Sequence, residues 1–393
     1  MATLLFNSLI IIYRQKYWKK FSMKFYQPVD YPAERFERFY KNPVYLTLQK
    51  RMRSILVFIG ESRYGDFMLS LPFFQALREM FPDSKIIFAG HRLNGLEKFS
   101  EILPFVDIYY EMRMRKKREV LFKWHSLFYL CLKENVDLLI DTQRYSIVNL
   151  LLACLPVRYR LGYGTKCFFS NWKFSEKGRK NIHDIFQLLA LCRVLGKADI
   201  KLYVDIEFPE EYKNKVRPII SQSGRWVSIF PGASEKEKCW PPERFAAVAD
   251  ALAEMGYAIL LLGSSKEKEL LVRVKRNMKY QPVIPVFIND EFGKNPVYAA
   301  LFCSKSKLCI SNESGGVHFA GLVNTPIVGI YGLKNPVKWG PLSHNSIALY
   351  KNLPCSPCKM RKAKLACPLN RKCLLDITVE EVIEACKKCL EES

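Results

Sequence analysis

Short runs of consecutive apolar residues alternate along the chain with stretches that carry apolar residues at helical spacing. Residues 55–59 form the first run, and residues 67–81 repeat apolar side chains every three or four positions. A continuous apolar run indicates a strand buried on both faces, and the repeat indicates a helix. Residues 85–89 supply the next strand. The pattern predicts a β-α-β unit, in which Pro72 would kink the helix or end its first turn.

The alternation continues, breaks once and then starts again. Residues 136–141 predict another buried strand, and residues 185–195 predict a helix that ends at Gly196, a suitable C-cap. Residues 206–224 mix charges with prolines and predict a connection between domains. Residues 226–230 then begin a second α/β series. We therefore expect an α/β protein with two doubly wound domains, whose ligand edges lie at the carboxyl ends of the strands.

This pattern divides the chain into five segments. They are a basic and aromatic extension (1–53), a first Rossmann-like domain (54–205), a linker (206–224), a second Rossmann-like domain (225–354), and a cysteine-rich segment with a terminal helix (355–393).

The charge of the chain changes the picture more than its composition does. Of 393 residues, 49% are hydrophobic and 25% charged, which is ordinary for a globular protein, but the net charge is +23. Such an excess implies an acidic partner: nucleic acid, an anionic membrane face or a phosphorylated substrate. Because the basic residues are scattered and no nucleic-acid module is present, we predict no nucleic-acid partner.

The amino-terminal extension pairs a short apolar run with a basic one. Residues 4–12 are mostly apolar, and residues 13–24 hold five lysines and arginines without an acid. The order of charge and apolar run is wrong for a signal peptide, and no apolar run in the chain is long enough to cross a bilayer. The extension is either an interfacial membrane anchor or a helix packed on the protein with a solvated basic face.

A turn rich in small residues follows a predicted strand at residues 311–318 and opens a helix. The unpaired N–H groups and the partial positive charge of a helix start make it a seat for phosphate. Alternatively, Asn312 or Ser314 caps the helix, and Gly315 and Gly316 only relieve crowding.

Two features of the first half also allow two interpretations each. Asp66, at the carboxyl edge of the first strand, is either a helix cap or a reactive carboxylate. Residues 112–118 hold five positive charges, which form either a solvated helix face or a contact for an anionic acceptor. No GxGxxG follows the first strand of either domain, and no GxxxxGKS, HExxH or nucleophile elbow occurs, which disfavours dehydrogenases, P-loop enzymes and zinc proteases.

Four stretches, in order along the chain, resemble glycosyltransferase family 9, the ADP-heptose:lipopolysaccharide heptosyltransferases. They are residues 65–72 (GDFMLSLP), Asp141-Thr-Gln143 with Arg160-Leu-Gly162, residues 231–234 (PGAS) continuing through Lys238 to Phe245, and residues 312–318 (NESGGVH) with Thr325-Pro326.

The resemblance implies a GT-B fold, in which the two Rossmann-like domains face a central cleft. It implies an inverting transferase without an obligatory metal that moves a heptose from ADP-heptose to the lipopolysaccharide inner core. Together with the net charge of +23 and the basic start of the chain, it favours a protein that works at the cytoplasmic face of the inner membrane. Asp66 matches the general base, and Lys238 a lysine on the diphosphate. The terminal helix would pack back toward the first domain.

The remaining candidate residues come from the same motifs. The predicted donor-binding residues are Ser234, Lys238, Glu313, Ser314, Gly315, Gly316 and His318. The predicted acceptor-binding residues are Tyr64, Gly65, Gln143, Arg144 and Arg160, and the acceptor is expected to be an anionic lipid-linked saccharide.

Two departures from the family pattern bear on the donor. Glu313 stands where the family has Asp, and Ser264-Ser265 stand where some members hold the ribose with an acid. The chain is therefore a heptosyltransferase, a transferase that uses another nucleotide sugar, or a catalytically altered relative that only binds nucleotide sugars or saccharides.

The tail holds four cysteines in nineteen residues: Cys355, Cys358, Cys367 and Cys373. In a reducing compartment this spacing suggests a structural zinc ion, while packed thiols and disulfides are the alternatives. No cofactor is expected to be required for catalysis.

Overall fold

The computed structural model describes residues 52–59, 64–90, 96–111, 117–142, 146–163, 172–174, 183–197, 199–220, 224–281, 292, 295–358 and 367–391. The predictions for residues 1–51 and for most of the basic stretch 112–118 lie outside these ranges. None of the helices described is long and apolar enough to cross a membrane.

The first domain is a six-stranded parallel sheet in the order β3-β2-β1-β4-β5-β6. Its strands are β1 (Ser54–Ile59), β2 (Lys85–Gly90), β3 (Ile108–Glu111), β4 (Val136–Asp141), β5 (Tyr159–Tyr163) and β6 (Trp172–Phe174). Its helices are α1 (Tyr64–Met80), α2 (Lys117–Lys133), α3 (Ser146–Ala153) and α4 (Asp184–Val194), with a 3-10 helix at Leu96–Glu101. The strand order is that of a Rossmann sheet, which reverses between β1 and β4.

The second domain is a five-stranded parallel sheet in the order β11-β10-β9-β7-β8. Its strands are β7 (Trp226–Phe230), β8 (Ala258–Leu261), β9 (Ser306–Asn312), β10 (Ile327–Tyr331) and β11 (Ser346–Tyr350). Its helices are α6 (Pro242–Glu254), α7 (Lys268–Asn277), α8 (Pro296–Ser304), α9 (Gly315–Leu322), α10 (Pro336–Trp339), α11 (Lys372–Leu375) and α12 (Val379–Glu391). This sheet reverses between β7 and β9, where a ligand is expected.

One apolar cluster joins the two domains. It runs from Phe74 and Leu77 of α1 to Val317 and Ala320 of α9, and these four side chains are almost fully buried. Helices α1 and α9 pack against each other directly. The cleft between the sheets is therefore closed at its base by an apolar contact, which fixes how the two ligand edges face each other.

Three local details differ from the sequence-based predictions. Helix α1 runs without a break through Pro72, and it begins at Tyr64 rather than after Asp66. The predicted linker contains a helix, α5 (Glu210–Ile220), which buries Tyr212 and Val216. The hydroxyl of Tyr212 donates to Glu101 in the first domain at 2.8 Å, so the connection is a packed element rather than a loop.

The terminal helix packs on the second domain, and the prediction that it packs toward the first domain is wrong. Helix α12 lies against α6 and strands β9, β10 and β11. Its buried residues Val382, Cys386 and Cys389 recur at helical spacing and join the apolar cluster on that face of the second sheet. Near the end of the helix, the Asn345 side chain donates to the Cys389 carbonyl at 2.8 Å.

Candidate functional site

A cavity of about 410 Å³ opens at the carboxyl edge of the second sheet. All seven predicted donor-binding residues line it: Ser234, Lys238, Glu313, Ser314, Gly315, Gly316 and His318. Its other walls are largely aromatic and include Phe230, Phe292, Phe319 and Trp339. The volume is in the usual range for small-molecule sites, and apolar walls with a few converging polar groups are typical of them.

Ser314 both caps α9 and lines the cavity. Its side chain accepts from the Gly316 N–H at 3.4 Å, so the capping interpretation of this turn is confirmed. Gly316 leaves no room for a side chain, because a Cβ atom there would lie 2.6 Å from the Phe230 ring and from Ser311 Oγ. The start of α9 can therefore come close to a ligand while packed tightly from behind.

Asn312 does not cap the helix but ties two parts of the site together. Its Oδ1 accepts from the Trp240 N–H at 3.0 Å, and its Nδ2 donates to the Pro231 carbonyl at 2.6 Å. Because Asn312 is fully buried, both bonds are shielded from water. They hold the turn after β7, which carries Ser234, against the end of β9.

Lys238 is the predicted diphosphate lysine, and it is almost completely buried. It ends a 3-10 helix, Lys236–Lys238, and its ammonium donates to Glu235 at 3.0 Å and to Ser234 Oγ at 3.4 Å. The ion pair orients the lysine in the cavity wall, and it also offsets part of the positive charge that a phosphate would meet.

Glu313 is 4% exposed and uses its two oxygens differently. Its Oε2 accepts from the backbone N–H groups of Gly332, Leu333 and Lys334 at 3.3, 3.1 and 2.7 Å. Its Oε1 is buried without a hydrogen-bond partner among the residues that the structure describes. Burial raises the pKa of this carboxyl, while the Lys334 N–H and the charge of Lys238 oppose the rise. A ligand hydroxyl would satisfy Oε1.

The loop after β8 carries a carboxylate two residues beyond Ser264-Ser265, the position at which some members of the family hold an acid. Glu267 lines the cavity, and its Oε2 accepts from the N–H and the hydroxyl of Ser264, both at 2.7 Å. Gly232 makes room for it, because a Cβ atom at that position would collide with the carboxylate. The Ser264-x-x-Glu267 capping box is visible in the sequence and could have pointed to this residue.

His318 lies on the first turns of α9 and faces the cavity. Burial lowers its pKa to about 3, with smaller contributions from the charges of Lys334 and His183. The imidazole is therefore neutral at physiological pH and acts as a hydrogen-bonding group rather than as a cation.

Lys334 was not predicted as a site residue, although it also lines the cavity. Its ammonium lies 5.0 Å from the centroid of the Trp339 ring. It belongs to the loop that follows β10, outside the motifs of the sequence analysis, and no spacing rule would have selected it.

The structure describes only some of the catalytic and acceptor-binding residues that were predicted in the first domain. Tyr64, Gly65 and Asp66 form the first turn of α1, at the carboxyl end of β1. Leu69, one turn after Asp66, lines a small interdomain cavity together with His318, which also lines the donor cavity. Gln143 and Arg144 lie outside the described residues.

Arg160 does not reach the donor cavity. It lies on β5 beside Leu139 of β4, and its guanidinium donates to the Leu155 carbonyl at 2.5 Å. Burial lowers the pKa of Arg160, with the thiols of Cys154 and Cys131 as weaker neighbours. These contacts belong to the α2 and α3 side of the sheet, and a role of Arg160 in acceptor binding stays a prediction.

The four tail cysteines lie in one neighbourhood without forming a ligand set. Cys373 packs beside Gly332, and burial, followed by the charges of Cys355, Cys367 and others, raises its pKa to about 11. In the described part of the chain, no three His, Cys, Asp or Glu side chains are placed to hold a metal ion. As placed, the thiols do not fit the predicted zinc.

Two parallel α/β sheets that face each other across a cleft, with a cavity at one ligand edge that two lysines line, place the protein in the GT-B fold class. The sequence profile of glycosyltransferase family 9 (heptosyltransferase) matches residues 124–368. The chain belongs to this family, which confirms the resemblance, and it is a glycosyltransferase enzyme.

Known relatives cover nearly the whole described chain. Lipopolysaccharide heptosyltransferase 3 of Escherichia coli K12 is 27% identical over 349 residues, which cover 84% of this chain and 96% of that protein. The family 9 glycosyltransferase of Veillonella parvula aligns with a TM-score of 0.70 at 24% identity, covering 87% of this chain and 98% of that one. Heptosyltransferase WaaC of Escherichia coli with ADP aligns with a TM-score of 0.63 at 18% identity, covering 86% of this chain and 99% of that one. The two structures confirm the GT-B fold.

Proposed function

We propose that this enzyme transfers a heptose from ADP-heptose to the inner core of lipopolysaccharide, with inversion and without an obligatory metal. The observation that carries the proposal is the donor cavity, which gathers all seven predicted donor-binding residues in a member of family 9. The relatives support the substrate class, because one is a lipopolysaccharide heptosyltransferase and another was solved with ADP.

The reaction follows from the two ligand edges. The acceptor hydroxyl loses its proton to the carboxylate of Asp66, and its oxygen attacks the anomeric carbon from the face opposite the diphosphate. The bond from that carbon to the phosphate oxygen breaks, and ADP leaves with the electron pair. Lys238 and the N–H groups at the start of α9 stabilise the negative charge on the leaving group.

Two carboxylates are suited to hydroxyl groups of the donor. Glu267, in the loop after β8, would accept from the ribose, and the unpartnered Oε1 of Glu313 would accept from the transferred sugar. Both roles require a donor that places hydroxyls at these points.

A panel of nucleoside diphosphates tests the donor class. We expect ADP to raise the melting temperature of the purified protein more than UDP, GDP or dTDP does. A ligand that binds only the folded state stabilises that state, and tighter binding raises the melting temperature more. A larger shift with another nucleotide would replace ADP-heptose by a different nucleotide sugar.

A second candidate is a relative that binds nucleotide sugars or saccharides without turnover. The observation that favours it is Glu313, which stands where the family has Asp. Release of free nucleotide separates the two functions, because a binding protein returns its donor intact.

We also propose that the enzyme works at the cytoplasmic face of the inner membrane as a peripheral protein. The net charge of +23 supports this, as do three large side chains on α2 and α3 that are more than half exposed: Tyr129, Leu132 and Leu150. Co-sedimentation with vesicles that contain anionic phospholipid checks it. Binding that falls in the Tyr129→Ser, Leu132→Ser double variant supports the proposal, and unbound wild-type protein contradicts it.

A structural zinc ion in the tail stays a prediction from cysteine spacing. Metal analysis of protein purified under reducing conditions decides it. One zinc per chain that is lost in Cys358→Ser would support the site, whereas folded protein without metal would exclude it.

A further inference from the structure

The tail contacts the part of the second domain that carries Lys238. Arg371, the residue before α11, extends its guanidinium to the 3-10 helix Lys236–Lys238. Its Nη1 lies 3.3 Å from the carbonyl oxygens of both Lys236 and Cys239 and donates to each. One carbonyl precedes Lys238 in the chain and the other follows it. A single side chain of the tail therefore holds the backbone on both sides of the predicted diphosphate lysine.

The 3-10 helix is too short to be rigid by its own bonds. It has three residues, and a single turn fixes several dihedral angles for few hydrogen bonds. The Lys238 N–H donates to the Glu235 carbonyl at 3.0 Å, and the Cys239 N–H donates to the Lys236 carbonyl at 3.1 Å. The position of this turn therefore depends on contacts from outside it.

The ammonium of Lys238 depends on the position of the turn. Its partners Glu235 and Ser234, at 3.0 and 3.4 Å, come from the same stretch of chain, so they move with the turn and do not fix it relative to the cavity. Lys238 is also 2% exposed, so little water is present to replace a partner that is out of place. Contacts that fix the turn from elsewhere in the fold therefore decide where this cation lies.

Arg371 acts from a segment that is itself fixed to the second domain. The carbonyls of Leu375 and Ile377, at the end of α11 and just after it, accept from Nη1 of Arg244 in α6 at 2.6 and 2.7 Å. An arginine on such carbonyls satisfies acceptors that a helix end leaves open. The Trp240 indole, two residues after Lys238, also donates to the Ile377 carbonyl at 3.0 Å.

We propose that Arg371 is a positioning residue for the donor, which sets where the Lys238 ammonium meets the leaving diphosphate by fixing the backbone on both sides of that lysine. The inference rests on the proposed role of Lys238 in glycosyl transfer. Because Arg371 does not belong to the described lining of the donor cavity, it acts through Lys238 rather than on the ligand. It lies outside the four family motifs.

Calorimetric titration with a nucleoside and with its diphosphate tests this role, using the base that the protein prefers. Arg371→Gln removes the guanidinium from a half-buried position, so the variant should fold. We expect it to weaken diphosphate binding about fivefold to 20-fold, as for lost hydrogen bonds from a charged donor, and to leave nucleoside binding within about twofold of the wild type. The control is Lys372→Gln, which removes a charge one residue away, where the ammonium lies 3.9 Å from Asp376, and should bind both ligands like the wild type.

A double variant separates positioning from a general effect of charge. In the Lys238→Gln background the group that Arg371 positions is gone. Adding Arg371→Gln to that background should therefore change the diphosphate affinity by less than about twofold.

Three results would overturn the role. One is equal diphosphate affinity in Arg371→Gln and Lys372→Gln. The second is an equal loss for nucleoside and diphosphate, which would make Arg371 a support of the fold alone. The third is a loss that persists in full in the Lys238→Gln background. Because every readout is binding, an enzyme that binds the diphosphate but transfers no sugar would contradict the proposed function and not this role.

Discussion

At the scale of a residue, Glu313 is one methylene longer than the Asp of the family, and this length changes what its carboxylate can contact. Its Oε2 accepts from three backbone N–H groups that follow the neighbouring strand, while Oε1 is buried without a hydrogen-bond partner among the described residues. The carboxylate therefore fixes the loop that carries Lys334, and its second oxygen is the one that we propose accepts from the donor. An Asp at this position would have to give up one of these tasks.

We expect Glu313→Asp to lower the free energy of unfolding by about 2 kcal/mol, because the shorter side chain leaves buried N–H groups without an acceptor. Urea denaturation measures the change. Glu269→Asp makes the same exchange at an exposed position of α7 and serves as the control. Equal midpoints for the two variants would mean that the three bonds contribute nothing to stability.

The donor residues could be predicted because they lie in motifs where small and polar residues follow a strand. Glu267 and Lys334 were not predicted, for different reasons. Glu267 is two residues beyond the position of the family's acid, although its capping box with Ser264 is visible in the sequence. Lys334 enters the site through the tertiary contact of its loop with Glu313, and such contacts leave no periodic trace in a sequence.

At the scale of elements, His183 joins the two domains. Its Nδ1 accepts from the Ile185 N–H at the start of α4, and its Nε2 lies 3.2 Å from the Gly340 carbonyl of the second domain. A neutral imidazole that donates from Nε2 makes both bonds at once. Burial lowers the pKa of His183 from 6.5 to about 4, which matches this neutral form.

Stability should therefore depend on pH through His183. The pKa of His183 is lower in the folded than in the unfolded state, so the unfolded chain takes up the proton first as the pH falls. The contribution of His183 to the free energy of unfolding is therefore complete above about pH 6.5 and declines as the pH falls toward 4. The lowered pKa corresponds to a loss of about 3 kcal/mol in the free energy of unfolding at acidic pH. His183→Asn keeps a capping group that does not titrate, and denaturation between pH 4.5 and 7.5 should show a shallower decline. Equal slopes for the variant and the wild type would exclude the histidine as the cause.

Most strands were predictable because each is a short, largely apolar run, and such runs are typical of strands in a sheet that is covered on both faces. The surfaces on which the helices pack were not predictable. The stripe of Val382, Cys386 and Cys389 shows that α12 buries one face, but a stripe carries no information on which surface it meets. The packing of α12 on the second domain could only be seen in the folded chain.

At the scale of the whole molecule, the two domains form one unit around the donor cavity. Tyr212 of the connecting helix α5 donates to Glu101 of the first domain and accepts from Asn295, which lines the cavity, at 3.5 Å. Together with the packing of α1 on α9, this fixes how the first domain is placed beside the donor cavity. The proposed catalysis depends on this placement, since the base and the leaving group come from different domains.

Transfer by the purified enzyme tests this account most directly. With ADP-heptose and a lipopolysaccharide inner core that lacks the added heptose, we predict equal amounts of ADP and heptosylated product. Asp66→Asn should lower the rate at least about 100-fold, as expected for loss of a general base, while its affinity for ADP stays that of the wild type. Near wild-type turnover in that variant would remove Asp66 from the mechanism, and wild-type enzyme that releases no ADP would contradict the proposed function itself.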